Sequence, residues 1–237
     1  GVSNIGALNS KILEGKGGEL IRMGEALHEK SVGYIADRVA IQHQKGGAKI
    51  VLISGPSSSG KTTFSKRLGI QVLISLDDYF VEREKTPRDE KGDYDFEALE
   101  AVDVELFNDH LNRLLKGETV RIPRYNFITG KREFHEQPLQ MEERSVLVIE
   151  GIHGLNPKLT PHVAADMKFK IYVSALTSIA MDNLNRIATT DSRLIRRIVR
   201  DHRTRGNSAT DTLRRWESVR RGEDKHIFPN QEQADLM

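Results

Sequence analysis

Lys49–Thr63 reads KIVLISGPSSSGKTT. Lys49 to Ser54 is a short, β-branched apolar run flanked by glycines, the pattern of a strand buried on both faces of a parallel sheet. It runs directly into Gly55-Pro56-Ser57-Ser58-Ser59-Gly60-Lys61-Thr62, a complete G-x-x-x-x-G-K-[ST], and then into the helical pattern of Thr63 to Leu68. The backbone of such a loop must curl so that successive N–H groups point at phosphate oxygens, and a Cβ at Gly55 or Gly60 would obstruct that approach. Lys61 supplies charge to the β and γ phosphates and Thr62 a hydroxyl for a divalent cation. Ser57, Ser58, Ser59 and Thr63 complete the expected nucleotide contacts.

Further apolar runs lie at Gln71–Ser75, Ser145–Glu150 and Lys168–Ser174, separated by helical patterns such as Leu99–Lys116. Strands alternating with helices predict an α/β P-loop NTPase fold, a doubly wound and mainly parallel sheet. Upstream, residues 1–18 read as loop. From about Glu19 to Gln44, Leu20, Met23, Leu27, Ile35, Val39 and Ile41 are spaced as on a helix, which Gly24 and Gly33 are expected to break. The predicted organisation is therefore an N-terminal loop and helical arm over 1–47 and a nucleotide-binding domain over 48–237. Val81–Asp95 and Thr119–Pro138 are polar, Pro- and Gly-punctuated and aperiodic, which suits substrate loops or surface filler.

Composition narrows the class. Of 237 residues, 38% are hydrophobic and 30% charged, and no apolar run approaches the roughly 18 residues that a membrane span needs. The absence of cysteine removes disulfides, thiolate catalysis and Cys-ligated zinc, and a cytoplasmic location is the default expectation. The formal net charge is only +2, yet Arg186–Lys225 holds twelve Arg or Lys against six Asp or Glu, so that segment should face something anionic. The opening Gly1-Val2-Ser3 lacks both an initiator Met and a signal pattern, which suggests a piece of something longer.

The second predicted strand ends in Leu73-Ile74-Ser75-Leu76-Asp77-Asp78-Tyr79-Phe80, placing carboxylates at the sheet's carboxyl edge, where ligands of open α/β sheets bind. A hydroxyl acceptor has a very high pKa and needs a carboxylate to orient it and take its proton. Asp77 is the first choice for that base, with Tyr79 a further acceptor contact; either acid could instead cap the following turn, and Asp78 could reach a metal through water. Glu150, ending the run Ser145–Gly151, stands where an acid reaches the metal directly or through water. Arg193, Arg196, Arg197 and Arg200 fall at i, i+3, i+4 and i+7 on one helical face, suited to forked contacts with phosphate oxygens. This predicts a lid over about 191–207, with Arg193, Arg196 and Arg197 catalytic, Arg193 also touching the acceptor, and Arg200 on the nucleotide. The alternative is a solvated helix paired with Asp191 and Asp201.

Taken together, the chain resembles the uridine kinase and phosphoribulokinase family of P-loop kinases from about Lys49 to Met237. The family's phosphate loop is matched by Gly55–Thr63, its S-x-D motif by Ser75-Leu76-Asp77, and its N-F-D motif by Asp93-Tyr94-Asp95. Its P-x-Y-D-F segment resembles Pro123-Arg124-Tyr125-Asn126-Phe127, its E-G-I Glu150-Gly151-Ile152, and its D-T-R-L-x-R-R Asp191–Arg197. The resemblance implies that Asp95 holds ribose hydroxyls and Tyr125 lies against the base. Two departures stand out: Gly130 occupies the place of a histidine that reads the pyrimidine, and Phe228–Met237 resembles only the run into the family's last strand. The chain also looks like the kinase part of longer bacterial uridine-kinase-like proteins with a threonyl-tRNA-synthetase-like N-terminal region.

These readings imply an enzyme using ATP and Mg²⁺ to phosphorylate a small hydroxyl acceptor, a nucleoside first and a sugar phosphate or pantothenate as variants. A non-catalytic ATP-binding module would need neither Asp77 nor the arginine helix. A nucleic-acid-associated ATPase would call for fewer acids and more aromatics in the basic segment. Neither nucleic acid nor membrane is expected as a partner, and a homo-oligomer is compatible with the sequence.

Overall fold

A computed structural model describes residues 2–69 and 72–237. Four strands, β1 (Ile50–Ser54), β2 (Val72–Ser75), β5 (Leu147–Glu150) and β6 (Lys168–Tyr172), form one sheet in the order β2-β5-β1-β6. Every pairing is parallel, with Ser75 opposite Glu150 and Ser54 opposite Tyr172, so the carboxyl ends of all four strands share one edge. The strands are those expected, shorter by Lys49 in the first, by Ser145 and Val146 in the third and by Val173 and Ser174 in the last; Gln71, the expected start of the second, lies outside the described residues. Leu236 makes a parallel bridge to Ile171, on the free side of β6.

Period-two alternation splits the strand residues between two layers. Ile50, Leu52, Ile74, Leu147 and Ile149 face α4 (Val104–Leu115), which buries Phe107, Leu111 and Leu114 against them. Val51, Ile53, Val148 and Ile171 face the other way, onto Phe64 and Leu68 of α3 (Lys61–Arg67) and its end, and onto Val32 and Val39 of α2 (Gly17–Gln44). Burying such side chains contributes about 1.5–3 kcal/mol each relative to exposure. Helix α4 starts later than its apolar periodicity suggests because Asp103 caps it, its side chain accepting from the Leu106 N–H.

Three expectations are corrected. Residues 1–18 are not all loop: α1 (Ile5–Leu13) forms under an Asn4 cap, and Ile5 N donates to Ala180 O at 3.0 Å. Gly24 and Gly33 do not break α2, which is continuous; a mid-helix glycine costs only about 1 kcal/mol, and burial of Val32 and Val39 on one face offsets it. The segment Thr119–Pro138 is not irregular throughout. It contains a hairpin of β3 (Pro123–Asn126) and β4 (Lys131–Phe134), closed by a turn ending at Gly130 with φ +72°.

After β6 the chain forms α5 (Thr189–Thr204) and α6 (Ala209–Gly222), packed on each other. Ser208 and Asp211 make a reciprocal capping box at the start of α6. No helix among the described residues is long and apolar enough to cross a membrane.

Candidate active site

The loop between β1 and α3 is shaped for close approach. Gly55 has φ +148°, and a Cβ there would stand 2.1 Å from the Val173 carbonyl oxygen, so no other residue fits without moving β6's end. Ser58 takes a left-handed backbone at φ +60°, and the hydroxyls of Ser58 and Ser59 are buried without a hydrogen-bond partner. Orphaned buried donors in a curled glycine loop suit a phosphate, whose oxygens accept them.

Lys61 is buried, and its Nζ donates to the carbonyls of Gly55 at 2.8 Å and Pro56 at 3.1 Å. Its ammonium is therefore folded onto the loop rather than projected freely. Burial pushes its pKa down, while Glu150 and Asp77 push it back up. At the edge of the sheet, the Glu150 Oε1 accepts from the Thr62 hydroxyl at 3.0 Å and from the Ser75 hydroxyl at 2.9 Å. Burial raises Glu150, and the nearby Asp77 charge adds to that effect. A hydroxyl and a carboxylate at one point are hard oxygen donors. They fit Mg²⁺, which takes one or two protein ligands and fills its octahedron from phosphates and water.

Asp77 lies in a short 3₁₀ turn, Leu76–Tyr79, that follows β2 directly. Its Oδ2 is 2.9 Å from Arg205 Nη2, and the Arg205 guanidinium lies 3.9 Å from the Phe127 ring centroid. Asp78 turns the other way and accepts from the Tyr125 N–H at 3.4 Å, fastening the β3–β4 hairpin to this turn; burial raises its pKa.

A cleft of about 640 Å³ joins these groups. Ser57, Ser58, Gly60, Lys61, Thr62 and Thr63 line its phosphate-loop end, with Asp77 and Glu150. From the helical face come Arg196, Arg197 and Arg200, with Arg205 beyond. Arg196 reaches the loop itself: a Cβ on Gly60 would stand 3.3 Å from its Nη2. Arg197 donates to the Ser57 hydroxyl at 2.7 Å, and Arg200 pairs with Asp201 at 2.7 Å.

Four expected site residues are placed elsewhere. Arg193 is 2% exposed and does not line the cleft; its guanidinium is bonded to the fully buried Glu223 and to the Ser57 carbonyl. Arg193 shares the helical face of Arg196, Arg197 and Arg200 but lies at its amino-terminal end, where the Glu223 carboxylate and the Ser57 carbonyl take its guanidinium away from the cleft. Tyr79 is fully buried, hydrogen-bonded to His110 at 3.0 Å and packed edge-on against Phe107, so it is a core residue. Asp95 spends its Oδ1 on the Glu97 N–H at 3.0 Å, and Asp93 lines the cleft in its stead. Tyr125 is 4% exposed and packs edge-on against Phe80 and Phe127, which themselves line the cleft.

The sequence reading gave no role to Glu97 or Arg83, and none to Arg205 and Phe127 beyond the lid segment and the P-x-Y-D-F match that contain them. Arg205 follows the helical spacing by one residue past the regular face. Glu97 is a lone acid in the otherwise apolar Phe96–Leu99, a signal for a buried carboxylate; burial raises its pKa, and Arg197 stands 3.7 Å away. Arg83 sits in an aperiodic segment that gives no cue.

Comparisons with known proteins show the family and the fold. The sequence model of the "Phosphoribulokinase / Uridine kinase family" matches residues 50–237. A uridine kinase of Borrelia turicatae is 31% identical over 201 residues, 80% of this chain and 85% of that protein. A uridine kinase of Clostridium botulinum is 27% identical over 195 residues, 79% of this chain and 86% of that protein. Among solved structures, a D-glycerate 3-kinase from Cryptococcus neoformans shares the fold with a TM-score of 0.52 at 11% identity, covering 87% of this chain and 90% of that one.

Proposed function

The chain belongs to the phosphoribulokinase and uridine kinase family, a family of ATP-using phosphotransferases, and from that membership we propose that it phosphorylates the 5′-hydroxyl of a nucleoside. One observation supports this most. The Glu150 carboxylate accepts from Thr62 on the phosphate loop and from Ser75, two residues before Asp77, so phosphate, metal and acceptor groups meet at one point.

In this reading the phosphate loop and Arg196 hold the β and γ phosphates of ATP. Thr62 and Glu150 would hold Mg²⁺, which neutralises charge on the phosphate oxygens when bound. The acceptor oxygen attacks the γ phosphorus as the bond to the β-phosphate oxygen breaks, giving the nucleoside monophosphate and ADP. Asp77 takes the hydroxyl proton as the new bond forms, and Lys61 and the arginines of α5 offset the charge that builds on the transferred group. Arg193 acts at a distance, fixing α5 to Ser57. Residues 191–207 serve as the lid that brings Arg196, Arg197, Arg200 and Arg205 over the cleft. Phe80 and Phe127 offer the aromatic surface that a flat base needs.

The test is a panel of nucleosides with ATP and Mg²⁺, products being separated by chromatography. Formation of a 5′-monophosphate with one equivalent of ADP is the expected result. ADP release unaffected by any nucleoside would remove this function.

A further inference from the structure

The cations of the cleft divide into two sets. Arg197, Arg200, Arg205, Arg214, Arg221 and Lys91 each pair with a carboxylate. Lys61, Arg83, Arg196 and Arg215 have no carboxylate within 4.0 Å among the described residues. Lys61 and Arg196 stand at the phosphate loop, where the nucleotide supplies their counter-charge. Arg83 stands elsewhere, beside the aromatic surface.

Arg83 is held in place by the hairpin turn. Its backbone N–H donates to the Gly130 carbonyl at 2.9 Å, and its Nη2 donates to the Phe127 carbonyl at 2.6 Å. The side chain lies directly over Gly130: a Cβ there would come within 2.8 Å of Arg83 Nε and 2.9 Å of its Cβ and Cζ. With φ +72° as well, that position admits glycine for two separate reasons, and both serve to seat the guanidinium. Phe127 links this group to the reacting end, since its carbonyl binds Arg83 while its ring lies under Arg205, the partner of Asp77. One guanidinium N–H is spent on Phe127, the buried Tyr125 hydroxyl stands beside the same group, and the N–H groups that remain toward the cleft are donors only.

We propose that Arg83 determines acceptor specificity, donating to a carbonyl oxygen or ring nitrogen on the edge of a nucleobase whose flat face lies on Phe80 and Phe127. This rests on the nucleoside kinase reading above and deepens it. A preorganised guanidinium favours a base that presents hydrogen-bond acceptors, because a base presenting only donors or apolar groups there would leave a desolvated cation unmatched.

The experiment compares wild type, Arg83→Met and Arg83→Lys on the preferred nucleoside, on analogues lacking each ring hydrogen-bond acceptor in turn, and on sugar phosphates. Arg83→Met should raise the nucleoside KM about 10- to 100-fold, the usual worth of a hydrogen bond to a charged donor, with the ATP KM unchanged. One deletion analogue should be discriminated by wild type and no longer by Arg83→Met, which loss of packing alone does not produce. Arg83→Lys should recover part of the discrimination, and Gly130→Ala should lose it as Arg83→Met does. An unchanged KM, or the same loss on every analogue, overturns the inference alone. Preference for a sugar phosphate that vanishes in Arg83→Met overturns the base assignment, and a wild type that phosphorylates nothing in the panel overturns both readings.

Discussion

The Asp77 carboxylate sits 2.9 Å from Arg205, the residue that ends α5 and lays its guanidinium over Phe127. The proposed base is thus held by a cation that also covers the acceptor's aromatic surface. If Asp77 takes the acceptor proton, Asp77→Asn keeps a similar shape and loses the proton acceptor. The expected result is a fall in kcat of roughly 10²- to 10⁴-fold with the ATP KM close to wild type. An equal loss of ATP affinity would mark Asp77 as a metal-holding group instead.

Lys61 has its Nζ on two carbonyls of its own loop and forms no ion pair within 4.0 Å among the described residues, so its removal breaks no salt bridge. Lys61→Ala should therefore fold normally, with an unchanged circular dichroism spectrum, and lose about 10²- to 10³-fold in kcat, the usual cost of deleting one preorganised cationic donor. Retention of near-normal turnover would sink the kinase reading.

Glu223 and Arg193 form a buried ion pair, with Trp216 beside the guanidinium at 5.5 Å and Arg220 on the second carboxylate oxygen at 2.9 Å. Glu223→Ala strands the Arg193 charge, and breaking such a pair costs about 3–5 kcal/mol. Because Arg193 also donates to Ser57, the phosphate loop should loosen too. Denaturant unfolding should show the lower stability, and ATP titration a raised KM. Wild-type stability in Glu223→Ala would refute the structural role given to the pair.

The sheet was legible because buried parallel strands are written as apolar runs, and the phosphate loop because its glycines follow from backbone geometry. Asp77, Glu150 and the arginine-bearing helix were found by their place at the ends of those elements. What escaped was direction. Spacing puts Arg193 on one face with Arg196, Arg197 and Arg200, but only its bonds to Glu223 and the Ser57 carbonyl show that Arg193 is the one drawn away from the cleft. Tyr79 and Tyr125 read as ligand contacts because tyrosine serves both roles, and their burial among Phe80, Phe107 and Phe127 depends on residues distant in sequence. Arg83 had no local signature at all, since its position depends on a glycine in a hairpin 47 residues away.

His153, in the loop after β5, is 1% exposed, has no hydrogen-bond partner on either ring nitrogen, and faces the His226 ring at 5.8 Å between centroids. Burial lowers its pKa from 6.5 to about 4, and a charge on His226 would act in the same direction. The folded protein therefore keeps the ring neutral where the unfolded chain protonates it. Between pH 6.5 and about 4 the unfolded state binds more protons, so this residue's contribution is complete above 6.5 and is lost as the pH falls to about 4. The difference amounts to about 3 kcal/mol across that window. Buried Glu97 and Glu150, with raised pKa values, act in the opposite sense: their folded forms favour the proton, and their contribution declines as the pH rises above the ordinary carboxylate range. The comparison must therefore be between wild type and His153→Leu, unfolded by denaturant at a series of pH values. The stability gap between the two should shift in favour of the variant by about 3 kcal/mol as the pH drops through the window. Parallel curves for the two proteins would show that His153 is not the group that titrates on unfolding.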